Sequence, residues 1–145
     1  MIGRTLMLML CAAELGCSSK DDDPEGPPPA VVVPEPTFEG VRSLLAENCA
    51  LSACHGGNGT INDLRADSGL YERLTSPLET SDECDGLTLV VPGDVESSLL
   101  PKMMRDDPPC VTRMPNLCDQ GGPRACLIES QIQPIEAWIA AGAPE

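Results

Sequence analysis

The sequence predicts an all-α domain of about four helices, joined by long loops and cross-linked by disulfides. Three observations carry this: four stretches in which apolar residues recur at helical spacing, one brief apolar run stopped at once by Pro-Gly, and eight cysteines in 145 residues. Thr37 is placed to cap a first helix whose Phe38, Val41, Leu44 and Leu45 share a face and which ends near Asn48. Ser68 is the expected cap of a short second helix with Leu70, Tyr71 and Leu74. Leu87 to Val91 is the brief apolar run, and Pro92-Gly93 after it suits a type II turn. Asp94 is then expected to cap a third helix in which Leu99, Leu100, Met103 and Met104 form one stripe. The last helix is expected over about residues 131–141, with Ile132, Ile135, Trp138 and Ile139 inward, Ser130 and Gln133 as a capping box, and Gly142 as its stop. Pro134 removes one early hydrogen bond from it.

Three domain parts are legible. Residues 1–16 read as an export signal: Arg4 gives the positive start and Thr5 to Ala13 is almost wholly apolar, too short to span a bilayer. The run ends in Glu14-Leu15-Gly16-Cys17-Ser18-Ser19, which resembles the lipobox of bacterial lipoproteins, with Glu14 a departure from its usual aliphatic residue. The resemblance makes Cys17 the lipidated first residue of the mature chain; Cys11, after the bulky Leu10, is a poorer acceptor. Residues 17–36 hold Asp21-Asp22-Asp23 and prolines at 24, 27, 28, 29, 34 and 36, the composition of an extended, self-repelling tether. Residues 37–145 form the folded domain.

Charge and cysteine usage narrow the function. The chain has a formal charge of −14, and residues 37–145 hold 7 basic against 17 acidic residues, leaving −10. With no basic cluster to neutralise phosphates, nucleic-acid binding and polybasic membrane docking are disfavoured, and a charged partner should be basic. Eight cysteines favour an oxidising compartment over the cytosol. One Trp, one Tyr and one Phe are few for a core, so a cofactor or cross-links are expected to supplement it.

The chemistry concentrates in Cys49-Ala50-Leu51-Ser52-Ala53-Cys54-His55-Gly56-Gly57, where the only His directly follows a Cys. Attachment of haem c needs two thiols close enough to add to the two vinyl groups of one porphyrin and an imidazole beside the second thiol to reach the iron. The usual spacing leaves two residues between the cysteines; here there are four. Two other readings stand beside it: a local Cys49–Cys54 disulfide with His55 on the surface, and a zinc site, which adjacent Cys54 and His55 serve poorly.

The order Phe38, Cys49, Cys54-His55-Gly56-Gly57, Pro92-Gly93-Asp94, Ser98-Leu99-Leu100, Met114-Pro115, Trp138-Ile139-Ala140-Ala141-Gly142-Ala143 resembles small cytochrome c domains of the planctomycete and myxobacterial type. The resemblance spans residues 38–145 and implies a cytochrome c-like fold, one haem c held by Cys49 and Cys54, and iron ligation by His55 and Met114. Met114 precedes Pro115 and so is expected in non-helical backbone, where its thioether can be aimed; the alternative is that it only packs the haem edge. Met103 and Met104, on a helical stripe, read as core. His-Met ligation leaves no open position for oxygen chemistry and favours electron transfer.

Cys84, Cys110, Cys118 and Cys126 remain, and four cysteines allow three connectivities. The expected pairs are Cys84–Cys110, across the third helix, and Cys118–Cys126, closing the loop after Met114. The acidic run Asp82-Glu83-Cys84-Asp85 lacks a calcium-loop pattern and reads as a solvated loop, as does Asp106-Asp107. No set of side chains suited to hydrolysis or phosphoryl transfer is present, so no enzyme is expected. Two classes survive. One is an electron-transfer module lipid-anchored at Cys17 on the periplasmic side of the envelope, outer membrane before inner, serving a redox partner protein with a basic docking face. The other is a haem-free, disulfide-bonded lipoprotein module for binding or envelope structure.

Overall fold

Thr37 accepts the Gly40 N–H through its hydroxyl at 3.2 Å and so starts α1, Phe38–Asn48. A computed structural model describes residues 31–57, 62–80, 82–106, 108–110 and 112–145. The expected signal sequence and Cys17 lie outside the described residues. Three further helices follow: α2, Leu70–Thr75; α3, Leu99–Met103; and α4, Glu129–Ala140. Among the described residues there is no β-strand, only isolated bridges between Pro77 and Thr88 and between Val91 and Asp94. The domain is therefore all-α, as the apolar periodicity predicts. No helix among the described residues is long and apolar enough to cross a membrane.

Helix α4 is the centre of the packing, lying against both α1 and α3. Ile132, Ile135, Trp138 and Ile139 meet Val41, Leu44 and Leu45 in one core, each such burial contributing about 1.5–3 kcal/mol. The three aromatics gather here: Phe38 stacks on Trp138 at 6.0 Å and meets Tyr71 edge-on at 5.5 Å. Trp138 is wholly buried, with its indole N–H donating to the Pro144 carbonyl at 2.9 Å. The Tyr71 hydroxyl donates to the Ala143 carbonyl at 2.9 Å, which folds the chain end back over the core. Gly142 stops α4 with φ +93°, a conformation that glycine adopts without a Cβ penalty.

Three helix starts differ from expectation. The N-cap of α2 is Gly69, not Ser68, and it is Asp67 that accepts the Gly69 N–H, at 3.0 Å. Asp94 does cap, accepting Ser97 N–H at 3.0 Å, but it caps an isolated turn after the Val91-Pro92-Gly93-Asp94 reversal. Helix α3 begins later, because the fully buried Ser98 hydroxyl donates to the Asp94 carbonyl and accepts the Val91 N–H, fixing a break between turn and helix. Helix α4 starts at Glu129 after Ile128; the Gln131 side chain accepts the Ile128 N–H at 3.3 Å, so Ser130 and Gln133 form no capping box. Pro134 consequently falls in the second turn, leaving the Ser130 carbonyl without its helical donor.

Both expected disulfides form, Cys84–Cys110 and Cys118–Cys126. They are separated in sequence by 26 and 8 residues, so loop-closure entropy predicts about 3.6 and about 2.6 kcal/mol respectively. Cys84→Ala with Cys110→Ala is therefore expected to lower the denaturant midpoint more than Cys118→Ala with Cys126→Ala. Equal midpoints for the two double variants would contradict the ordering.

Candidate haem-attachment site

The residues after α1 fold into a closed arch. Cys49 and Ala50 N–H both donate to the Leu45 carbonyl, at 2.8 and 2.9 Å, extending the helix end. Cys54 and Gly56 N–H then donate to the Leu51 carbonyl, at 2.8 and 3.0 Å, and His55 N–H donates to the Cys49 carbonyl at 3.1 Å. Six residues of chain from Cys49 to Cys54 thus turn back on themselves. A Cβ at Gly56 would lie 2.0 Å from the Ala50 carbonyl oxygen, so only glycine fits behind the His.

Cys49 and Cys54 are the two described cysteines outside the disulfides, one buried and the other half-buried, and they do not pair with each other. Burial pushes the Cys49 thiol up to about 12, with the neighbouring Cys54 adding to the rise, which keeps it protonated and slow to oxidise. His55 is half-buried; its Nδ1 lies 3.1 Å from the Asn62 carbonyl oxygen, and its own carbonyl accepts the Leu64 N–H at 2.8 Å. With the proton on Nδ1, donated to that carbonyl, Nε2 is the basic, metal-binding nitrogen of the ring.

Met114 comes to the same place from the other end of the sequence. It is half-buried in irregular backbone with a cis peptide bond to Pro115, as the Met-Pro order predicts for a non-helical position, and its N–H donates to the Met103 carbonyl at 2.7 Å. Two adjoining cavities, about 220 and 390 Å³, share Cys49, His55 and Met114 in their walls, and Cys54 lines the larger. Taken together they fall in the size range of cofactor pockets. The smaller is walled mainly by aliphatic side chains from α3 and the loops, Leu64, Leu89, Leu99 and Leu100 among them.

All four residues singled out from the sequence therefore meet at one apolar site. Met103 and Met104 are buried, at 7% and 2% exposure, as their stripe predicts, yet both also face the smaller cavity. Sequence reasoning missed the Asn62 carbonyl, because a backbone acceptor has no signature in residue type. It also missed that Cys84 of the first disulfide, and Asp82 of the acidic run, line the cavity. Among the described residues no group of three or more His, Cys, Asp or Glu side chains is placed to hold a metal ion, so the donors here are one imidazole with thioether and thiol sulfur. Comparison of the chain with protein-family models, curated proteins and solved structures gives no match.

Proposed function

We propose that this protein is a one-electron carrier with a single haem c, held to the cell envelope on its periplasmic side by a lipid at Cys17. The observation that carries this reading is the convergence of the two unbridged thiols, the sole His and Met114 on one apolar cavity. The donor set fits the group: Cys49 and Cys54 would supply the two thioethers, and His55 Nε2 and the Met114 sulfur would bind the iron. A bound haem would supply a one-electron iron couple. The Asn62 carbonyl orients the imidazole. The leucine-lined wall would keep water from the bound group, and with both His55 and Met114 bound to it the iron would have no open position, which would suit electron transfer and not catalysis.

The net −10 of the folded domain favours a redox partner with a basic face, whose encounter rate should fall as salt rises. A haem-free binding or structural lipoprotein is the second reading. The two disulfides and the aliphatic-aromatic core favour it, since both stabilise the domain without a cofactor.

The deciding experiment is export from a host with haem c maturation, followed by denaturing electrophoresis and haem peroxidase staining. A stained band at the mass of the mature chain is expected. An unstained band of folded protein from that host would overturn the electron-carrier reading.

A further inference from the structure

We infer that Arg113 is a positioning residue for Met114, fastening the thioether's loop to two walls of the cavity. The consequence for iron ligation rests on the electron-carrier reading above, whereas the fastening itself belongs to the folded chain.

Met114 sits between Cys110 and Cys118, and each of those cysteines is tied elsewhere by a disulfide. The cross-links fix the ends of this stretch and leave its middle in irregular backbone. Among the described residues, the hydrogen bonds that join that middle to the neighbouring walls are those of Arg113 and of the Met114 N–H. Arg113 Nε donates to the Met104 carbonyl at 3.0 Å, and one terminal nitrogen reaches the Leu127 carbonyl at 3.5 Å. The other terminal nitrogen pairs with Asp106. Met104, Met114 and Leu127 all line the smaller cavity, so one guanidinium gathers the backbone of three wall segments.

The guanidinium is suited to this and an ammonium is not. Its planar fork reaches carbonyls in two directions at once; a lysine offers a single point of charge on a flexible stem. The Arg113 side chain is 24% exposed, so its charge-assisted bonds to carbonyls act in a partly desolvated setting where they are stronger. Asp106 is 89% exposed, and a pair with so solvated a partner contributes little. The two carbonyl contacts, and not the ion pair, carry the positioning.

The test compares the wild-type exported protein with Arg113→Met, Arg113→Lys and Asp106→Asn by amide hydrogen exchange and by the ferric far-red spectrum. Arg113→Met is expected to speed exchange at the Met114 amide roughly tenfold while amides of α1 and α4 keep their protection. It should also weaken the far-red sulfur-to-iron charge-transfer band while covalent haem staining persists. Arg113→Lys should fall between Met and wild type, and Asp106→Asn should match wild type. If Arg113→Met does not fold, Arg113→Lys carries the comparison. Unchanged Met114 exchange and an unchanged band in a haem-loaded Arg113 variant would overturn the positioning role and leave the electron-carrier reading intact. Faster Met114 exchange in a protein that never takes up haem would keep the fastening and discard that reading.

Discussion

Cys54→Ser is expected to abolish most covalent haem attachment, and Cys49→Ser to abolish less of it. Both thiols lie on one arch, but they are held differently. Cys49 is 8% exposed and sits at the end of α1, where its position is set by the helix and by the Cys49 and Ala50 bonds to Leu45. Replacing its sulfur by oxygen leaves that scaffold in place. Cys54 precedes His55 directly, so a bond made there would fix the imidazole as well as the macrocycle edge, and losing it would remove the nearest covalent hold on that ring. The measurement is haem peroxidase staining beside alkylation of the denatured, unreduced mature chain. Wild type carrying two thioethers should show neither Cys49 nor Cys54 alkylated. Each single variant should regain no free thiol where its remaining thioether forms. Alkylation of both cysteines in unstained wild type would instead match the haem-free lipoprotein.

The elements that were legible in the sequence are those whose cause is local. The bounds of α1 follow from the Thr37 hydroxyl and the Val41, Leu44, Leu45 stripe, all within one stretch of chain. The stop of α4 follows from Gly142, and the reversal at Pro92-Gly93 follows from Gly93 at φ +82°. Where two side chains compete for one role, residue type did not decide. Ser130 is a good cap on paper, yet Gln131 reaches back to Ile128 and the helix starts earlier. Asp94 caps as its chemistry allows, but the buried Ser98 hydroxyl ends that turn before the helix can run on from it.

The candidate site divides along the same line. The Cys49 to Gly56 arch is contiguous, and its glycine, its two thiols and its imidazole all announce themselves by type and spacing. Met114 was singled out by the resemblance to cytochrome c domains, and the Pro that follows it predicted its non-helical backbone. Asn62 acts through a carbonyl that every residue possesses, so no pattern could select it. Arg113 looked like one basic residue among 7 in an acidic domain, and its part depends on where the Met104 and Leu127 carbonyls come to lie. Long-range placement of backbone groups is what the sequence withheld.

Met114→Ala is expected to remove the far-red charge-transfer band of the ferric protein and to lower the reduction potential, while Met103→Leu changes neither. Three methionines face the smaller cavity, so proximity to it cannot assign the ligand. Two features separate Met114 from the others. It lies in the walls of both cavities, as His55 and Cys49 do, whereas Met103 and Met104 face only the smaller one. Its backbone is irregular and its side chain half-buried, while Met103 ends α3 and Met104 follows as its C-cap, both deep in the core cluster. A thioether favours ferrous iron, so its loss stabilises the ferric state and lowers the potential. Leu at position 103 restores a similar apolar volume at a cost usually under about 1.5 kcal/mol, and Met103 holds Met114 through its carbonyl, which the substitution keeps. Loss of the band in Met103→Leu with its retention in Met114→Ala would move the proposed thioether ligand to α3 and leave the proposed haem attachment at Cys49 and Cys54 untouched.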